Sequence, residues 1–81
     1  MTSDDNRFDR RRVHEHGMAS QALFEIRGNK LYRYGMASQA EYEIRGSYIY
    51  RYGSAAQAAF EIRGTQIHEL ASAGQAVYDI R

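Results

Sequence analysis

Residues 17–34 read GMASQALFEIRGNKLYRY, and residues 35–52 read GMASQAEYEIRGSYIYRY. The two stretches agree at 13 of 18 positions, which makes them copies of one unit. Residues 53–70, GSAAQAAFEIRGTQIHEL, share 9 of 18 positions with the second copy and extend the period. Residues 71–81, ASAGQAVYDIR, start a fourth copy that stops after its first half. A fixed period of this kind sets the architecture before any other feature is weighed.

Within each unit the hydrophobic pattern has period two. In Ala22-Leu23-Phe24-Glu25-Ile26-Arg27 the residues at 22, 24 and 26 are apolar, and those at 25 and 27 are charged. That alternation describes a strand with one buried face. Gly28-Asn29 follows and recurs as Gly46-Ser47 and Gly64-Thr65. Glycine at the first position of a two-residue loop suits a type II′ turn, because only glycine takes a positive φ there at little cost. Lys30-Leu31-Tyr32-Arg33-Tyr34 is then the return strand. A helix is excluded on the same residues, since a glycine in every period would cost a helix about 1 kcal/mol each time.

A two-residue turn also fixes the register. It sets Ile26 against Leu31, Ile44 against Ile49 and Ile62 against Ile67, with Phe24 facing Arg33 and Glu25 facing Tyr32. The unfinished fourth unit lacks its return strand. One period upstream of Lys30–Tyr34 lies Arg12-Val13-His14-Glu15-His16, and residues 10–81 make four full periods. Val13 is therefore expected to pair with Ile80. The prediction is an all-β fold, four β-hairpin repeats in a closed pseudo-fourfold ring or shallow barrel. Its units are 17–34, 35–52, 53–70 and 71–81 plus 10–16. Closure removes exposed strand edges, and eight strands leave an interior that side chains can fill. The expected core is Ala22, Phe24, Ile26, Leu31 and their equivalents. Residues 1–9 are set aside as a flexible N-terminal arm.

The repeat Q-A-x-[FY]-[ED]-I-R-G, as in Gln21–Gly28, resembles the 4-fold β-flower family over residues 10–81. The resemblance implies a shallow fourfold all-β fold with hairpins as petals. It implies no activity and carries no functional residue over. β-flower folds are loosely similar to Tubby-like domains, some of which bind lipid. The unit also resembles MORN and YD repeats distantly, but an 18-residue period is too short for MORN.

Composition narrows the function classes. Eleven basic and ten acidic residues leave a net charge of +1, which gives no long-range field to draw in nucleic acid. The basic run Arg10-Arg11-Arg12 beside Arg7 is diluted by Asp4, Asp5 and Asp9. There is no cysteine, hence no disulfide and no thiolate metal site. No apolar run approaches the roughly 18 residues of a membrane span. The polar segment Met1–Arg12 does not read as a secretory signal, and a cytoplasmic location is expected.

No set of residues spells out catalysis, a metal or a cofactor. His14 and His16 face one way on a strand, with His68 or Asp79 as neighbours, yet Tyr32/Tyr34 and Tyr50/Tyr52 hold those places in other units. The Glu-Ile-Arg triplets, at 25–27, 43–45 and 61–63 and as Asp79–Arg81, read as same-face ion pairs. Gln21, Gln39, Gln57 and Gln75 form a candidate axial polar ring, or else satisfy backbone groups at the bends. Glu15, Arg33, Arg51 and Glu69 share one equivalent position, and two partly buried ion pairs are expected, Glu15–Arg33 and Arg51–Glu69. Tyr32, Tyr34, Tyr48, Tyr50 and Tyr52 lie opposite the core and form a candidate contact surface for a homo-oligomer or a protein partner. The expected function is a non-enzymatic binding or self-assembly module. Lipid or a small hydrophobic ligand at the ring mouth is the alternative.

Overall fold

The computed structural model describes residues 4–18, 21–36, 39–53, 57–70 and 74–81. Among them eight strands run in chain order: β1 (Arg12–Glu15), β2 (Phe24–Arg27), β3 (Lys30–Arg33), β4 (Tyr42–Arg45), β5 (Tyr48–Arg51), β6 (Phe60–Arg63), β7 (Gln66–Glu69) and β8 (Tyr78–Ile80). Each pairs antiparallel with the next, and β8 pairs with β1, so the sheet closes into a barrel. No described helix is long and apolar enough to cross a membrane.

The register follows the turn chemistry. Ile26 faces Leu31, Ile44 faces Ile49 and Ile62 faces Ile67. Gly28, Gly46 and Gly64 have φ of 65°, 63° and 63°, and the residues after them have negative φ, the signature of a II′ turn. At the seam Val13 pairs with Ile80, His14 with Asp79 and Glu15 with Tyr78. Arg12 and Arg81 also exchange both backbone hydrogen bonds, at 2.9 and 2.7 Å. The same four-way regularity appears between units. Ile44 N donates to Asn29 O, Ile62 N to Ser47 O, Ile80 N to Thr65 O, and Ile26 N to Arg11 O, all within 2.7–2.9 Å.

Inward-facing residues stack in layers between the two ends of the barrel. Ile26, Ile44, Ile62 and Ile80 lie toward the hairpin turns. Val13, Leu31, Ile49 and Ile67 come next, and both sets are buried. Phe24, Tyr42, Phe60 and Tyr78 pack half-buried on them toward the opposite end. Ala40 and Ala76 are buried, whereas Ala22 and Ala58 are only partly so.

The arm does not stand clear of the barrel in its described part. Residues 4–6 form a short 3-10 turn, and Phe8, 6% exposed, joins the hydrophobic core. Asp9 Oδ1 accepts the Gly28 amide and Asp5 Oδ1 the Gly46 amide, both at 2.7 Å. Arg7 Nη2 donates to Gly46 O, and Arg10 N to Ile26 O. These contacts seat the arm across the hairpin-turn end, with Phe8 as its plug. The physical reason is plain: four short strands' worth of isoleucines would otherwise face water at that end.

Arg10 aligns one period upstream of Gly28 and takes the same conformation, φ 71°, the only non-glycine to do so among the described residues. A side chain in the left-handed region costs about 1–2 kcal/mol, partly offset by the lower flexibility of the unfolded chain. Arg10→Gly is therefore expected to stabilise the fold by about 0.5–1 kcal/mol. Urea denaturation checks it; a lower midpoint at unchanged slope would show that the arginine side chain contributes more than its backbone costs.

Candidate functional site

Among the described residues, nothing covers the end opposite the plug. There, each first strand of a hairpin begins with an inward aromatic residue, and each return strand ends with a charged one. Phe24, Tyr42, Phe60 and Tyr78 line a cup whose floor is Val13, Leu31, Ile49 and Ile67. Their rings meet edge to face, with centroids 5.7 Å apart for Phe24–Tyr42, 5.9 Å for Tyr42–Phe60 and 5.7 Å for Phe60–Tyr78. Such pairs are favoured by the ring quadrupole and hold the cup in shape. The cup encloses about 10 Å³ of room for the centre of a water molecule, and about 250 Å³ when the open space in front is counted. The smaller figure measures what fits inside, roughly one water.

The rim carries the charges. Cross-strand pairing sets Arg33 opposite Phe24, Arg51 opposite Tyr42, Glu69 opposite Phe60 and Glu15 opposite Tyr78. All four charged residues are exposed. The Arg33 guanidinium stands 5.9 Å from the centre of the Phe24 ring, and that of Arg51 5.8 Å from Tyr42. The expected buried pairs Glu15–Arg33 and Arg51–Glu69 are not what forms. Arg33 Nε instead donates to Glu41 Oε2 at 3.1 Å. The strand between the two members of each expected pair explains this. Two strand spacings, near 10 Å, separate β1 from β3, and the Phe24 ring of β2 occupies the gap; Phe60 of β6 does so for the other pair.

The outer wall is self-contained. Arg27 reaches Glu25, Arg45 reaches Glu43 and Arg63 reaches Glu61 at 3.1–3.2 Å, and Arg81 lies 3.8 Å from Asp79. Such exposed pairs contribute a few tenths of a kcal/mol each. The candidate tyrosines lie on this wall. Arg27 covers Tyr32, Arg12 Tyr34, Arg45 Tyr50 and Lys30 Tyr52, at 4.7–5.9 Å from the ring centres. Tyr48 and Tyr52 remain 40% and 42% exposed. The diagonal of the hairpin register places Arg27 over Tyr32 and Arg45 over Tyr50, a contact that the sequence pattern contains. Gln21, Gln39, Gln57 and Gln75 are all exposed, on the connections at the mouth end.

The histidines separate. His68 is buried, with Nδ1 3.3 Å from Gly74 O. His16 Nδ1 sits 2.8 Å from Asp79 Oδ1, and the Gly17 amide donates to Asp79 Oδ2 at 3.2 Å. Among the described residues no three histidines or carboxylates come together around a metal position. The His16 hydrogen bond holds the Asp79 carboxyl below the usual carboxylate range, helped by the Gly17 amide and the charges of His16 and Arg81; partial burial acts the other way. A depressed folded value means that Asp79 contributes its stability above the ordinary carboxylate pKa of 3.8 and loses it as pH falls through the lower folded value. His14 and Gln66 flank it across the sheet. Asp79→Asn should thus destabilise the protein near neutral pH, and its denaturation midpoint should converge on that of the unaltered chain in strong acid. Parallel curves at every pH would remove Asp79 from the acid response.

Comparison with family models, curated proteins and solved structures finds no match to this chain.

Proposed function

We propose that this chain is a non-enzymatic binding and self-assembly module whose contact surface is the aromatic mouth of the barrel. One observation carries the reading: the mouth is where aromatic side chains from all four units converge on solvent, on an aliphatic floor. On the outer wall, by contrast, ion pairs and cations lie over several of the tyrosine rings. Met18 and Met36, each 50% exposed, add apolar surface on two connections at the same end. Interfaces combine such an apolar, aromatic centre with a charged rim. The closed ring of four hairpins also supports membership of the 4-fold β-flower group as part of this proposal.

The size of the cup argues against an acyl chain as its cargo. Pockets for molecules of that size run to hundreds of Å³, far above what is enclosed here. Mapping with small organic probes tests the reading. Phenol and isopropanol, titrated while backbone and aromatic resonances are followed by NMR, are expected to shift residues 13, 24, 31, 42, 49, 60, 67 and 78 together. Shifts centred on Tyr48 and Tyr50, or spread evenly over the wall, would remove the mouth from consideration.

A further inference from the structure

We infer that the partner at the mouth is a second copy of this chain, docked mouth to mouth about a twofold axis. The inference rests on the reading above and adds the partner and its register. It comes from the order of charge around the rim, which runs Glu15, Arg33, Arg51, Glu69 on β1, β3, β5 and β7.

When a second barrel is turned over to face the first, its rim runs in the opposite sense. Fourfold pseudosymmetry then offers four ways to superpose the rims. With the twofold axis between Glu15 and Arg33, each Glu15 meets the partner's Arg33, and each Arg51 meets the partner's Glu69. All four positions are complementary. Each of the other three settings brings arginine onto arginine and glutamate onto glutamate. The pattern is therefore self-complementary in a single register, as an isologous interface requires. Like-charge contacts reject the alternatives, so the charges supply orientation more than strength.

The side chains are free to take part. All four are exposed, and they emerge around the aromatic ring rather than on the wall. Arg33 already holds Glu41 through Nε and Nη2. A guanidinium has five N–H donors, so a second carboxylate can be accepted without releasing the first. Apolar surface at the centre comes from the half-buried aromatic ring, with Met18 and Met36 beside it. The molecule measures 30 × 28 × 24 Å. One end of it offers on the order of 600 Å² per copy, at the low end of specific protein–protein contacts.

Sedimentation velocity over a concentration series tests the inference, together with two rim variants. Arg33→Glu with Arg51→Glu makes the rim wholly acidic, and Glu15→Arg with Glu69→Arg makes it wholly basic. Each variant alone is expected to be monomeric at concentrations where the unaltered chain is dimeric, and a one-to-one mixture should restore the dimer. An unaltered chain that stays monomeric to millimolar concentration overturns the second copy, while the probe mapping tests the mouth separately. Dimers that persist in both variants overturn the mouth as the contact and point to another face. Should either variant fail to fold by circular dichroism, the salt dependence of the unaltered dimer decides. Going from about 0.05 to about 0.5 M salt should weaken it roughly tenfold or more. A dissociation constant unmoved by salt overturns the charge register.

Discussion

A chain that begins at Gly17 will not form the barrel. Removing residues 1–16 deletes β1, and with it the partner of both β2 and β8. Phe24–Arg27 and Tyr78–Ile80 then become open edges, in a sheet whose strands are only three or four residues long. Sheets that short are marginal without their neighbours, and open edges recruit other chains. The deletion also takes away Val13 and Phe8, both buried. Their loss alone amounts to about 5–8 kcal/mol, against a total of about 4–12 kcal/mol for a domain this size. The expected outcome is collapsed amide dispersion by NMR and soluble aggregates by light scattering. Moving residues 10–16 to follow Arg81 by a direct peptide bond should restore the barrel. Arg10-Arg11 then stand where Gly28-Asn29 stand in the first unit, and Arg10 already has the required φ. The permuted chain also lacks Phe8, so its stability is compared with that of Phe8→Ala; if it falls well below that variant, ring closure through the seam is not what holds the fold.

The parts of this architecture that were legible in the sequence are those the repeat controls. Val13 was matched to Ile80 because a strand missing from the last period was present one period before the first. The turns and the register followed from Gly28-Asn29 and from alternation. Arg10 carried a readable signal too, since it aligns with Gly28, but its positive φ emerges only when the seam is treated as a turn. The rim pairs differ from the expectation for a physical reason. Sharing a face and following one another around the ring do not make two residues adjacent, because an aromatic residue on the intervening strand separates them. Glu41, the actual partner of Arg33, sits on a connection where the other units have Leu23, Ala59 and Val77. The alternation sets that position on the outer face, and nothing in it brings the side chain to the rim. The aromatic mouth is less legible, because alternation marks Phe24 as inward without saying how deep a layer it forms.

Phe8→Ala should cost about 3–4 kcal/mol, which lowers the melting temperature by roughly 15–30 °C in a domain of this length. Nothing in the sequence around Phe8 repeats or alternates, so its place in the core is a product of tertiary structure alone. The barrel's turn end is a ring of four isoleucines, and a ring closed by II′ turns leaves its centre without a lid. Phe8 provides the lid, and the residues on either side fix it there. Asp5 and Asp9 cap the turn amides of Gly46 and Gly28, and the Arg7 guanidinium lies 4.6 Å over the Phe8 ring. A carboxylate that accepts a backbone amide contributes about 1–2 kcal/mol, so Asp5→Ala and Asp9→Ala should each cost less than the phenylalanine. Phe8→Leu should recover most of the loss, because it keeps apolar bulk at the site, whereas Phe8→Ser should not. Urea denaturation of the five variants gives the ranking. A Phe8→Ala midpoint within error of the unaltered chain would mean that the isoleucine layer closes on itself. In that case the arm is a passenger, and the permuted chain described above should be as stable as the natural order.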